Sequence, residues 1–192
     1  ADIGHTVYCV DKNVSKIEKL NLGQSPIYEP GLDELIKKNY RAKRLFFTAN
    51  ISEAVNKSDI IFICVGTPSK KKSLSVDLTY VFNAAKDISK FSKNKKIIVT
   101  KSTVPVGIGD LIEKNLKNKK KFTVISNPEF LRECDAIRDF RYPDRIVIGS
   151  NSHHAFKIMK NLYSPLINKG AKFFTTNRKG AALIKYASNA FL

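Results

Sequence analysis

What this 192-residue sequence lacks narrows its possible roles. No apolar run approaches the ~20 residues that a membrane-spanning helix needs. The stretch from Ala1 to Tyr8 has neither the basic nor the apolar region of a secretory leader, so the expected compartment is the cytoplasm. Cysteine is sparse: Cys9, Cys64 and Cys134 show no C-x-x-C spacing and no companion histidine pair, which argues against a zinc site or a disulfide frame. Cys9 and Cys64 fall in apolar runs and are expected in the core, whereas Cys134 is expected to be partly exposed. His153 and His154 are adjacent, cannot share a helix face and lack a third ligand, so no metal site is expected.

Acidic residues are also few, 17 against 34 basic ones, for a net charge of +17. A balance of this kind raises the possibility of nucleic-acid binding. Yet 27 of the cations are lysines scattered along the chain, and arginine, the better bidentate contact, occurs seven times. The densest runs, 70–72 and 117–121, fall in expected loops or helix ends without interleaved aromatics. A solvated lysine surface is the favoured reading, with a basic nucleic-acid-binding domain as the alternative. Either way, the positive potential would attract anionic ligands.

What is present is an alternation of short apolar runs with amphipathic stretches. Strands are expected at Thr6–Val10, Leu45–Thr48, Asp59–Val65, Lys96–Thr100, Phe122–Ile125, Ile146–Ile148 and Lys172–Thr175, with helical patterns between them. Asn13 and Asn50 stand where helix caps belong, with Glu53 completing a capping-box pattern. Uninterrupted apolar character in 59–65 implies a strand covered on both faces. Such alternation argues a doubly wound, Rossmann-like α/β fold with a mostly parallel sheet flanked by helices. In folds of this kind ligands bind beyond the carboxyl ends of the strands.

Polar residues cluster at those ends. Asp11 ends the first expected strand, where a carboxylate can take ribose hydroxyls. Only ten residues precede it, so the Gly-x-Gly-x-x-Gly loop expected about 20 residues earlier is absent, and with it a first strand. Gly66-Thr67-Pro68-Ser69 follows one strand and Lys101-Ser102-Thr103-Val104-Pro105-Val106-Gly107 another. The octapeptide Ser126-Asn127-Pro128-Glu129-Phe130-Leu131-Arg132-Glu133 follows a third. Pro128 restricts Asn127 to extended geometry and stops the strand. Glu129 and Glu133 can act as acid, base or water-holding groups, with Arg132 holding them or a substrate; a solvated helix start is the plainer alternative. Lys185 and Asn189, four residues apart, share one helix face and could serve a developing oxyanion.

These segments, together with Gly4-His5 through Asp11, Pro143-Asp144-Arg145 and Ile184-Lys185-Tyr186-Ala187-Ser188-Asn189, resemble the UDP-glucose 6-dehydrogenases within the UDP-glucose/GDP-mannose dehydrogenase family. The Pro-Asp-Arg triplet favours the UDP-glucose branch. The resemblance implies NAD as cofactor and UDP-glucose as substrate. It implies oxidation of the C6 hydroxyl to the carboxylate in two hydride transfers, through a thioester on a cysteine. Asp11, Lys16, Val65, Gly66, Thr67, Pro68, Ser69, Ser102, Thr103, Val104 and Glu133 would contact the cofactor. Glu129, Phe130, Leu131, Arg132, Glu133, Lys185 and Asn189 would contact the substrate. Thr103 with Glu133 would position water, Glu129 would move protons, and Lys185 with Asn189 would stabilise the oxyanion. The family's nucleophile sits in a Gly-Gly-x-Cys motif, which none of the three cysteines matches. The expectation is therefore a fragment, with residues 1–176 an incomplete NAD-binding domain and 177–192 opening a central helix. On its own it would be inactive, and the whole protein would be a homodimer or larger assembly through that helix; the alternative reading is a dinucleotide-binding module that has lost catalysis.

Overall fold

The computed structural model describes residues 1–70 and 75–191. Residues 71 and 72 of the first lysine run, and Leu192, lie outside the described residues. Among the described residues, seven strands are interspersed with helices in the order β1 (Val7–Val10), α1 (Val14–Asn21), α2 (Leu32–Arg41), β2 (Leu45–Thr48), α3 (Ile51–Lys57) and β3 (Ile60–Ile63). The chain continues through α4 (Thr79–Phe91), β4 (Lys96–Thr100), α5 (Ile108–Asn115), β5 (Phe122–Ser126), α6 (Ala136–Arg141) and β6 (Arg145–Gly149). It closes with α7 (His153–Leu162), α8 (Ser164–Ile167), β7 (Lys172–Thr176) and α9 (Arg178–Ala190).

Local chemistry sets several of these boundaries. The Asn13 side chain accepts from the Lys16 amide at 3.1 Å and the Asn50 side chain from the Glu53 amide at 3.2 Å, satisfying free donors at two helix starts. The capping box at Asn50 is only half formed, because the Glu53 carboxylate pairs with Lys57 Nζ instead. Gly31 and Gly107, both with left-handed φ, turn the chain into α2 and α5.

The strands form a parallel β1–β2 pair and a five-stranded sheet ordered β3-β4-β5-β6-β7. All neighbours are parallel except β5 and β6, which meet antiparallel through the single pair Ser126 and Gly149. Alternating residues of β4 and β5 feed two cores, one on each face. Ile98 and Val124 pack with Val81, Ile88 and Ile112 of α4 and α5. Ile97, Val99 and Ile125 pack with Ala155, Met159 and Tyr163 on the α7 side. Burying each such side chain contributes about 1.5–3 kcal/mol, so β4 and β5 form a fixed platform for whatever sits at their tips.

Three expectations are corrected. The 59–65 run forms a strand only over Ile60–Ile63; both its faces are covered, Ile61 and Ile63 packing toward one core and Ile60 and Phe62 toward the other, but only Ile63 is fully buried because β3 is an edge of its sheet. Cys64 falls beyond that strand and is exposed, not a core residue. The helix expected to continue through the last residue ends at Ala190.

Candidate active site

The loops that follow β3 and β4 are stitched to each other. The backbone amides of Lys101 and Ser102 both reach the Ile63 carbonyl, at 3.0 and 3.2 Å. The Ser102 hydroxyl donates to the Val65 carbonyl at 2.7 Å, and the Thr67 hydroxyl donates to the Thr103 carbonyl at 3.1 Å. Ser102 and Thr67 are thereby committed to holding the loops in place. Gly66 and Pro68 are exposed and Val65 is half-buried, while Ser69 pairs with Val76 in an isolated antiparallel bridge. A Cβ added at Gly66 would meet no atom within 4 Å, so open space stands against this backbone.

Thr103 follows on the same β4 loop, and Val104 beside it is buried in the core. Thr103, Pro128 and Lys185 line one narrow crevice with Ser102 and Ser126. Three segments distant in sequence therefore meet: the loop after β4, the segment after β5, and α9.

The segment after β5 is not helical. Residues 127–134 run extended or in turns before α6, with Cys134 at left-handed φ, so the helix-start reading of Glu129 and Glu133 is replaced by an irregular strap. Buried Asn127 anchors it, donating from Nδ2 to the Val147 carbonyl at 3.0 Å and accepting from the Tyr163 hydroxyl at 2.5 Å. The helix that follows the strap, α6, is tied to the 24–31 loop, because the Glu29 carboxylate accepts from the Ile137 amide at 3.1 Å.

Glu129 is half-buried, and its charge acts on two lysines. Burial pushes Lys101 below the usual lysine range, and the Glu129 carboxylate opposes that shift. The same two effects act on Lys185, again with burial the larger. Lys185 Nζ also stands 5.4 Å from the centre of the Phe130 ring, and the Arg145 guanidinium lies 4.6 Å from the same centre.

Other members of the expected set are placed differently. Arg132 turns outward, taking Asp139 and Asp135 at 2.7 Å each; it holds neither Glu129 nor Glu133, because the acids of α6 and its entry are nearer. Glu133 is exposed and makes no hydrogen bond among the described residues. Leu131 is half-buried. Asn189 is exposed one turn beyond Lys185 and is not among the residues lining the crevice. At the end of β1, the Asp11 carboxylate accepts from the Asn13 amide at 3.0 Å and pairs with Lys16 Nζ at 2.5 Å, contacts that hold it below the usual carboxylate range. Its side chain keeps one-third of its surface exposed. An open hollow of about 520 Å³ beside Arg141–Arg145 and Lys169–Lys172 contains none of the expected residues.

The residues present suit a dinucleotide. Asp11 offers an accessible carboxylate at a strand end, and Gly66 leaves room for close backbone approach. Among the described residues no group of three or more acidic, histidine or cysteine side chains could hold a metal ion. No described helix is long and apolar enough to cross a membrane.

Sequence reasoning passed over three contributors. In the sequence Arg145 stands only as part of a triplet and Lys101 as the first letter of a motif, and Arg178 falls unremarked within the 177–192 segment. Arg178 is buried and bonds Asp110, Glu113 and the Val124 carbonyl, fastening α9 to α5 and β5. A helix-start arginine with acids far away in sequence carries no local signal of such a role.

Residues 1–167 match the NAD binding domain of the UDP-glucose/GDP-mannose dehydrogenase family. A UDP-glucose 6-dehydrogenase of Rhizobium meliloti is 49% identical over 198 residues, covering 100% of this chain and 45% of that protein. One of Bacillus subtilis is likewise 49% identical, covering 100% and 42%. Among solved structures, a UDP-glucose dehydrogenase of Pyrobaculum islandicum superimposes with a TM-score of 0.92 at 38% identity, covering 98% of this chain and 44% of that one. A GDP-mannose dehydrogenase of Pseudomonas aeruginosa gives 0.90 at 36%, covering 98% and 44%. The chain thus spans less than half the length of these relatives. It belongs to the UDP-glucose/GDP-mannose dehydrogenase family and carries that family's NAD binding domain.

Proposed function

We propose that this chain forms the NAD-binding half of a UDP-glucose 6-dehydrogenase and supplies part of its catalytic machinery. The observation that carries the reading is the meeting of Lys185, Thr103 and the Glu129–Phe130 segment at the tips of β4 and β5. Asp11 and Lys16 would hold the cofactor's ribose, and Val65–Ser69 with Ser102–Val104 would border its nicotinamide end. When bound, NAD supplies the acceptor for the hydride.

The chain's own groups then handle protons and charge. Oxidising an alcohol to a carboxylate removes two hydrides and adds one water, so a base, a water-holder and an oxyanion partner are all required. Lys185 is suited to the last role: a partly desolvated cation acts more strongly on developing negative charge than one in bulk water. Glu129, whose charge acts on both Lys101 and Lys185, would accept and return protons. Thr103, with Glu133 swung inward, would hold the water, and Asn189 would add a second donor to the oxyanion. The covalent stage needs a cysteine from outside this chain, because the three present here are not in the family's motif.

The test is NADH formation from UDP-glucose, followed by absorbance, in the full gene product. Lys185→Ala is expected to lower turnover by about 10²–10³-fold, the scale of losing one oxyanion donor. The 192 residues alone are expected to show no turnover. Unchanged turnover in the variant, or sustained NAD reduction by the isolated chain, would contradict the reading. UDP-glucose is preferred to GDP-mannose because the 49% identical relatives are UDP-glucose enzymes; comparing the two substrates checks the choice.

A further inference from the structure

The antiparallel pairing of β5 with β6 has a consequence for the crevice. Ser126 opposes Gly149, and the Asn127 side chain continues that line to the Val147 carbonyl. Carrying the register on from Ser126 brings Phe130 alongside Arg145, the first residue of β6. Their side chains meet there: the guanidinium lies 4.6 Å from the ring centre. Arg145 Nη2 also donates to the Ser188 hydroxyl at 3.1 Å, on α9. Ser188 is three residues beyond Lys185, on the same side of that helix. The Lys185 ammonium stands 5.4 Å from the same Phe130 ring. One exposed arginine therefore touches both the aromatic ring that Lys185 rests against and the helix that carries Lys185.

We propose that Arg145 is a positioning residue, stacking on Phe130 and bonding Ser188 so that the ring and α9 hold the Lys185 ammonium at the crevice. The chemistry favours arginine over lysine. A planar guanidinium can lie against a ring while one edge donates a hydrogen bond, whereas a lysine ammonium is a point charge on a flexible stem. The role does not come from charge alone, so keeping the charge and losing the plane should not preserve it.

The test reads the position of Lys185 directly in the 192-residue chain. Protons on the Lys185 side chain near the Phe130 ring should resonate upfield of ordinary lysine positions in the NMR spectrum, and Phe130→Leu should remove the displacement. Arg145→Ala and Arg145→Lys are both expected to move the resonance back toward the ordinary position, with the remaining methyl spectrum unchanged. Ser188→Ala should give a smaller move in the same direction, and it tests the proposal even if an Arg145 variant fails to fold. Retention of the upfield position in Arg145→Ala, in Arg145→Lys or in Ser188→Ala would overturn it.

The consequence for turnover rests on the dehydrogenase reading. In the full gene product, Arg145→Lys should lower kcat about 10- to 100-fold through a misplaced catalytic group, with the KM for NAD unchanged. If Lys185→Ala leaves turnover intact, the dehydrogenase role of Lys185 fails. The resonance shifts would still decide the positioning role of Arg145.

Discussion

Arg178 Nη2 lies 2.6 Å from Asp110 Oδ1, joining the helix that carries Lys185 to the helix that follows the Thr103 loop. Its second acidic partner, Glu113, is at 2.8 Å. Only the arginine is buried, at 7% exposure, so the two acids can recover water if it is removed, but the space it fills cannot. Arg178→Ala is expected to cost about 2–3 kcal/mol, somewhat below the loss for breaking a fully buried pair. For a chain of this size that lowers the thermal midpoint by about 5–10 °C. Asp110→Asn should cost less than half as much, because Glu113 remains. Thermal unfolding followed by circular dichroism checks both.

The approach of α9 to β6 predicts opposite outcomes at two glycines. A Cβ at Gly149 would stand 2.6 Å from Ala181 Cβ and 2.8 Å from the Asn177 carbonyl oxygen, contacts that backbone must move to relieve. Gly149→Ala is expected to destabilise the fold by about 1–3 kcal/mol. At Gly66 nothing stands within 4 Å, and Gly66→Ala should leave the thermal midpoint unchanged. If that space admits NAD, the same substitution should weaken NAD binding by the full gene product at least several-fold, as read by calorimetry.

Removing one hydroxyl tests the anchor of the 127–134 strap. The Tyr163 hydroxyl donates to Asn127 Oδ1 in a buried setting, and burial raises the tyrosine's pKa above its ordinary range. Tyr163→Phe leaves that oxygen unpaired and should cost about 1–3 kcal/mol in denaturant unfolding. Conservative mutation of exposed Tyr142 should cost little by comparison.

The Arg132–Asp139 pair makes a prediction about pH. The guanidinium hydrogen bond holds the Asp139 carboxyl down to about 2. A carboxyl depressed in the folded state stabilises the fold above its unfolded pKa of about 4, and that contribution fades as pH falls from about 4 through about 2. In an NMR titration the Asp139 carboxyl should have its midpoint near 2, and Arg132→Ala should return it toward about 4. An unchanged midpoint in the variant would show that Arg132 is not its partner.

Much of the fold was legible because its signals are local. Apolar β-branched runs marked β4 and β5, whose two faces are both covered, and Asn13 and Asn50 announced α1 and α3. What was not legible depends on partners distant in sequence. The run at 59–65 looks like an interior strand, yet it forms a sheet edge and leaves Cys64 exposed, since sequence does not show which strands stand beside it. The same holds at the site. Motifs placed Thr103, Glu129 and Lys185 at strand tips and on a helix face, but not the turning of Arg132 toward Asp139, which depends on how α6 folds back. Nor did they indicate Arg145: its contacts follow from the one antiparallel junction in an otherwise parallel sheet.

In the proposed dehydrogenase, Lys185 would act on the substrate's reacting carbon from the crevice it shares with Thr103. The most direct measurement is the rate of NADH formation from saturating UDP-glucose and NAD in the full gene product, with Lys185→Ala beside the parent protein. A fall of about 10²–10³-fold with folded stability retained is expected if Lys185 has this role. Equal rates in the two proteins would contradict it.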